Sequence, residues 1–243
     1  MALTNVNPIC GLPASMITIS KENYLKAILE AECEGEQVIS ARLAQWLSVS
    51  PPAVTMALRR LKRDGLVVVR TDGRVQLTAE GREIAKRLAM RHYLIERMLH
   101  EVFGMAWYKV HDEAENLEHA VSSEFESMLA NKLGRNRACP HGNPPTPEPP
   151  GMRRKRGLLL LSETAAGARY NVQSVYERDR KLGEFLEKLS IRPGAELTVV
   201  RRNYDNTLTL QTQAGKVSLG YSAADKVWVT AAKNGSSLKS GPK

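Results

Sequence analysis

Six of the chain's 12 prolines crowd into one short stretch, at positions 140, 144, 145, 147, 149 and 150. Proline has no N–H to give a helix or a sheet ladder, and its ring fixes φ. No long regular element can therefore run through residues 134–157, GRNRACPHGNPPTPEPPGMRRKRG. Before this break apolar residues recur every three to four positions; after it they alternate. Helices followed by a small antiparallel sheet make an α+β chain, joined by a tether of polyproline II character.

In the helical part, Ser20 is an N-cap candidate for an amphipathic helix over 21–33, with Leu25, Ile28 and Leu29 on its apolar side and Asn23, Lys26 and Glu30 on its polar one. Ser40 caps a second helix, SARLAQWL. Pro51 and Pro52 open a third, where the first-turn N–H groups have no intrahelical partner to lose. Leu43, Ala44 and Leu47 are expected to pack on Val54, Leu58 and Leu61, giving a helix-turn-helix whose second helix carries Arg59, Arg60, Lys62 and Arg63. The runs LVVVR and VQL flank an Asp72-Gly73 turn, a hairpin signal that completes a winged helix with Arg70 and Arg74 at its tip. Cations on a recognition helix and a wing point to the DNA backbone. The chain's 35 Lys+Arg against 26 Asp+Glu, a net charge of +9, suits a polyanionic partner.

Thr78 caps a long helix over 79–103, Gly104 ends it, Met105, Trp107 and Tyr108 form a turn, and a second helix runs on to about 133. Four of the five histidines lie in 91–121. On a continuous helix His111, Glu115, Glu118 and His119 fall within an arc of roughly 100°, and His92 and Glu96 repeat the one-turn step on the helix before. Glu and His on a helix are most often a solvated face, but this repetition of neutral imidazole and carboxylate is the ligand set of Fe²⁺, Mn²⁺, Co²⁺ or Zn²⁺. The wide apolar stripe of these helices is compatible with a homodimer interface as well as an intrachain core. Cys139 and His141 are ligand types too, but an isolated Cys-Pro-His is a weak signal, and this reading leaves them outside the site.

From residue 157 the alternation of Leu208/Leu210, Val217/Leu219 and Val227/Val229 suggests half-buried strands of a small barrel, with a short helix around 179–189. Three scattered cysteines argue against a disulfide framework. With no apolar run long enough for a bilayer and no signal-like start, the expectation is a cytoplasmic protein with no membrane partner.

Together, SARLAQWLSVSPPAVTMALRRLKRDGLV, RHYLIERML, KVHDEAENLEH, CPHGNP and the β-rich end resemble the diphtheria toxin repressor family of iron- and manganese-sensing regulators over about residues 20–230. The resemblance implies a tail over 1–16, a winged-helix DNA-binding domain over 17–78, a helical dimerisation and metal-binding domain over 79–137, a Pro-rich linker over 138–156, an SH3-like barrel of the ferrous-transport type over 157–231 and a tail over 232–243. It places an ancillary metal site on His92, Glu96 and His111, with Glu177 lent by the barrel, and a primary site on Asn23, Glu115, Glu118 and His119. It also places Ser50, Pro52, Ala53, Thr55 and Met56 at base-facing positions, with Arg59, Arg60 and Arg63 on phosphates. The family's iron branch has Met and Cys where this chain has Asn23 and Glu115, its manganese branch Asp and Glu, and a further first-helix Glu of that branch corresponds to Lys26. The hard oxygen of Glu115 leans toward Fe²⁺ or Mn²⁺, with Co²⁺, Ni²⁺ or Zn²⁺ as surrogates.

The implied function is that of a metal-activated repressor of metal-homeostasis genes that binds operator double-stranded DNA as a dimer. The rivals are an activator, or a winged-helix regulator that answers a non-metal signal. A metalloenzyme lacks any HExxH or nucleophile motif. PPTPEPP is expected to dock on the SH3-like barrel of its own chain.

Overall fold

The computed structural model describes residues 18–232; the tails expected at either end, Ala232 apart, lie outside the described residues. Two compact units form: one holds the described residues up to Ala31 with Gln37–Ala85, the other Glu32–Glu36 and everything from Lys86 on.

The first unit is built from α1 (Ile19–Cys33), α2 (Ser40–Trp46), α3 (Pro51–Arg63), β1 (Val67–Val69), β2 (Val75–Leu77) and the opening of α4 (Ala79–Arg97). Helix α1 departs from expectation twice. It starts at Ile19, so Ser20 lies inside it, and the Lys21 N–H donates to the Thr18 hydroxyl at 3.4 Å. Nor is it amphipathic: Lys26 and Glu30, expected on a solvated side, are buried and pair with each other at 3.9 Å. A helix covered on nearly every side carries no apolar stripe to read. In α2 the N-cap is Ile39, and Ser40 is the first helical residue.

Helix α3 follows its sequence. Pro51 and Pro52 fill the first turn, and Val54, Leu58 and Leu61, at i, i+4 and i+7, are buried. Each contributes about 1.5–3 kcal/mol by leaving water. Gly65, at φ +73°, ends the helix, and β1 and β2 pair antiparallel as Val67↔Leu77, Val68↔Gln76 and Val69↔Val75 around the Asp72-Gly73 turn. Thr78 caps α4, its hydroxyl accepting the Gly81 N–H at 3.1 Å.

In the second unit α4 ends at Arg97 and passes into a π-helical turn, Met98–Val102, where an uninterrupted helix to 103 was expected. The next helix is two: α5 (Val110–Leu117) and α6 (Ser123–Leu133). The Ser122 hydroxyl accepts the Phe125 N–H at 3.2 Å and so starts a new helix. Buried Arg97 donates to the Leu133 and Gly134 carbonyls at the end of α6, at 2.5 and 2.6 Å. Leu94, Ile95, Leu99, Val110, Ala114 and Leu129 form the core between these helices.

The tether contains a helix, α7 (Pro150–Lys155), started by proline as α3 is. Beyond it β3 (Leu159–Leu160), β4 (Arg169–Val175), α8 (Arg180–Lys188), β5 (Glu196–Arg202), β6 (Leu208–Thr212), β7 (Gly215–Leu219) and β8 (Val227–Ala231) give a six-stranded antiparallel sheet of order β3-β8-β4-β5-β6-β7. Val172, Val199, Leu208, Leu210, Leu219, Val227 and Val229 fill its interior. Val227, Trp228 and Val229 of β8 are all buried, and Arg153 and Arg154 of α7 lie 5.3 and 5.6 Å from the Trp228 ring.

Candidate metal centre

Two residues one turn apart on α4, His92 and Glu96, point the same way, and the first turn of α5 adds His111. Glu96 Oε1 lies 3.1 Å from His92 Nε2 and 3.3 Å from His111 Nδ1, while the two imidazoles meet at 3.0 Å. The other Glu96 oxygen, Oε2, faces His141 Nδ1 at 3.4 Å. Cys139 Sγ stands 4.0 Å from that Nδ1 and 3.9 Å from Glu177 Oε2, which in turn accepts from Asn143 Nδ2 at 2.5 Å. Glu96 thus belongs to two groups, His92–Glu96–His111 and Glu96–Cys139–His141–Glu177, each with ligand atoms within 4.8 Å of one another and every member buried.

Cys139 and His141 were set aside in the sequence and belong here. Their place depends on the turn of residues 139–143, where the Cys139 N–H donates to the Asn143 carbonyl at 2.9 Å and Val175 of β4 donates to the His141 carbonyl at 2.9 Å. Gly142 makes this approach feasible: it sits at φ +85°, and a Cβ there would run into the Gln173 carbonyl oxygen. The signal was the whole CPHGN string, in which the glycine and asparagine build the turn.

The donor set suits a divalent ion. Nε2 of His141 is buried without a hydrogen bond, a costly condition for a ring nitrogen that a ligand role would relieve, and Nε2 of His111 has only Glu115 Oε1, 3.5 Å away. Burial alone would push the Glu96 carboxyl up, but the charges of His141 and His92 and hydrogen bonds from His111 and His141 hold it well below the usual carboxylate range. Burial would likewise depress His111, yet hydrogen bonds to Glu115 and Glu96, with the charges of Glu177 and Glu96, push it up to about 10. Burial, then the charges of Glu96 and Glu177, push the Cys139 thiol well up. The cavity's field favours positive charge, the charge a divalent ion carries.

The remaining expected ligands stand outside this buried cluster. Glu118 follows the last residue of α5 and its Oε2 holds His92 Nδ1 at 2.6 Å; its Oε1 lies 3.6 Å from His119 Nε2. His119 lies in the turn before α6, off the continuous helix that the sequence suggested. Glu115 receives Arg178 Nη1 at 3.2 Å and lies 3.5 Å from His111 Nε2. Asn23 is half-buried on α1, in the first unit.

On that first unit Ser50, Pro52, Ala53, Thr55, Met56, Arg59, Arg60 and Arg63 are all exposed on or beside α3, opposite Val54, Leu58 and Leu61. Arg70 and Arg74 flank the hairpin turn, also exposed, with Arg74 Nε 3.3 Å from Asp72. Arg63 leans on Asp64 at 3.3 Å, which also holds Lys21 at 2.7 Å.

An exposed cationic face on a winged helix, a buried imidazole–carboxylate–thiol centre and a small antiparallel barrel define the class of metal-dependent winged-helix regulators. Residues 16–75 match the iron dependent repressor N-terminal DNA binding domain, 78–147 the iron dependent repressor metal binding and dimerisation domain, and 159–231 the FeoA domain. The diphtheria toxin repressor of Corynebacterium jeikeium is 41% identical over 123 residues, 51% of each chain, and the iron-dependent repressor IdeR of Mycobacterium tuberculosis 39% identical over 51% of this chain and 54% of its own. The chain spans about half the length of the curated relatives it matches. A manganese-dependent transcriptional repressor solved in complex with manganese superposes with a TM-score of 0.76 at 30% identity, over 87% of this chain and 100% of that one. The manganese-activated repressor ScaR, solved with bound Zn²⁺, gives 0.71 at 27% over 86% and 98%. The chain belongs to the diphtheria toxin repressor family of metal-dependent repressors.

Proposed function

We propose that the chain is a homodimeric transcriptional repressor that binds operator DNA when divalent metal, Fe²⁺ or Mn²⁺, fills its sites. The buried Glu96 cluster, in which His141 Nε2 has no hydrogen bond, carries this reading. His92, Glu96, His111, Cys139, His141 and Glu177 would hold one ion or share two through Glu96. Glu115, Glu118 and His119 would hold another. A divalent ion supplies here the positive charge that draws these carboxylates and imidazoles into one fixed arrangement. At 100 times its dissociation constant it stabilises the arrangement that binds it by about 2.7 kcal/mol, or about 100-fold in population.

The cations of α3 and the wing supply phosphate contacts, and with Ala53 and Met56 facing the groove, base readout leans on thymine methyl groups and DNA shape. Exposed Val102, Phe103, Phe125 and Met128 favour self-association of the helical part. The Pro-rich tether docks on the barrel. The His141–Val175 hydrogen bond supports this, as does a cavity of about 440 Å³ where Pro144 and Pro145 face Val172, Gln173 and Pro193. Deletion of 144–150 that leaves metal and DNA affinity unchanged would rule the docking role out. The repression itself is tested by reporter expression from a native upstream promoter: metal should lower it in the wild type and leave it unchanged in the Glu118→Ala, His119→Ala double variant. A rise in expression with metal would make the chain an activator instead.

A further inference from the structure

The loop between β4 and α8 touches both carboxylate sets with consecutive residues. Glu177 faces Cys139 in the buried cluster, and Arg178 turns the other way to Glu115 on α5. We infer that Arg178 is the internal counter-ion of Glu115, competing with a divalent ion for that carboxylate and so setting the metal concentration at which the outer set fills. This rests on the proposal that Glu115 is a ligand.

The loop is held at both ends. Upstream, Glu177 takes the Asn143 amide at 2.5 Å. Downstream, the Asp179 carboxylate accepts the Leu182 N–H at 2.9 Å and starts α8, whose Gly183 sits so close to Tyr108 that a Cβ would come within 2.7 Å of the Tyr108 Cβ. Further along α8 Glu187 accepts from Trp107 Nε1 at 2.6 Å, and Arg180 reaches Asp112 of α5 at 3.6 Å. Fixed between these contacts, Arg178 has only 14% of its side chain exposed, so its guanidinium is presented to Glu115 with little freedom to leave. A guanidinium cannot give up its charge at neutral pH. It therefore opposes a second cation at this carboxylate in two ways, by occupying the oxygen and by repelling the ion. The barrel thus contributes a ligand to the inner set and a competitor to the outer one from adjacent positions.

Isothermal titration of the full chain with Mn²⁺ tests this. Arg178→Gln should tighten Mn²⁺ about two- to fivefold at the outer set, the range of a partly exposed ion pair, and leave the inner class unchanged. Arg178→Lys, which keeps the charge, should stay near wild type. In a Glu115→Gln background Arg178→Gln should have no effect. If Glu115→Gln weakens Mn²⁺ but Arg178→Gln does not tighten it, the competition is refuted while the ligand assignment stands. If Glu115→Gln changes nothing, the assignment itself fails. Should Arg178→Gln not fold, ¹⁵N-arginine spectra of the wild type decide the matter. On Cd²⁺ titration the Arg178 guanidinium signals should shift in the step that fills the outer set, and signals that stay fixed would overturn the inference.

Discussion

The inner and outer sets share imidazoles and carboxylates, the inner adding the Cys139 thiol, yet their members stand differently. Around Glu96 the potential donors are buried and face one another across hydrogen-bond distances, with His141 Nε2 without a hydrogen bond. In the outer set each carboxylate also has a basic partner elsewhere: Glu118 holds His92 as well as lying 3.6 Å from His119, and Glu115 takes Arg178. A set that is assembled before the ion arrives binds with little reorganisation and varies little with conditions; one whose members must leave other partners binds more weakly and moves more. The contrast suggests a structural inner site and a sensing outer one, and Glu118, bonded to His92 of the inner group, links them.

The comparison breaks most readily at Glu96. Glu96→Gln should weaken inner-site metal by more than about 100-fold, since even supporting groups around metal ligands contribute 10- to 100-fold; retention of the inner ion after desalting, read by elemental analysis, would contradict the shared-carboxylate picture. Next comes Gly142→Ala, which meets the Gln173 carbonyl and a left-handed backbone; it should cost about 1–3 kcal/mol of stability in thermal unfolding and cost the inner site while sparing the outer. Asn143→Ala removes the amide that holds Glu177 and should weaken the inner site about tenfold, seen by calorimetry with the outer class unmoved. The smallest effect is expected at Arg91, whose guanidinium holds Glu126 at 2.8 Å and reaches the Glu118 carbonyl at 3.5 Å. Arg91→Ala should weaken only the outer class, about two- to fivefold.

Much of this was legible in the chain. Val54, Leu58 and Leu61 declared the buried face of α3 and the Asp72-Gly73 turn declared the wing, because there local pattern and final structure agree; the alternation of Leu208 and Leu210 declared strand β6, although Thr209 between them is buried as well. Illegible were the burial of Lys26 and Glu30, since charge reads as exposure until tertiary packing encloses a pair, and the π-helical turn after Arg97, which has no local signature. Two features were readable but passed over. Ser122 ahead of Glu124 and Glu126 is an N-cap signal that splits the helix after His119, and Pro149-Pro150 opens α7 as Pro51-Pro52 opens α3. At the centre, the His-x₃-Glu repeat gave His92, Glu96 and His111, while Cys139 and His141 joined them only through a turn whose docking on β4 is long-range.

The most direct test of the account is the affinity of the chain for fluorescently labelled native upstream DNA, measured by anisotropy across a Mn²⁺ series and again after chelation. The account predicts about a 100-fold gain in affinity on metal loading, reversed by chelator and absent in the Glu118→Ala, His119→Ala double variant. Equal DNA affinity with and without metal would contradict it.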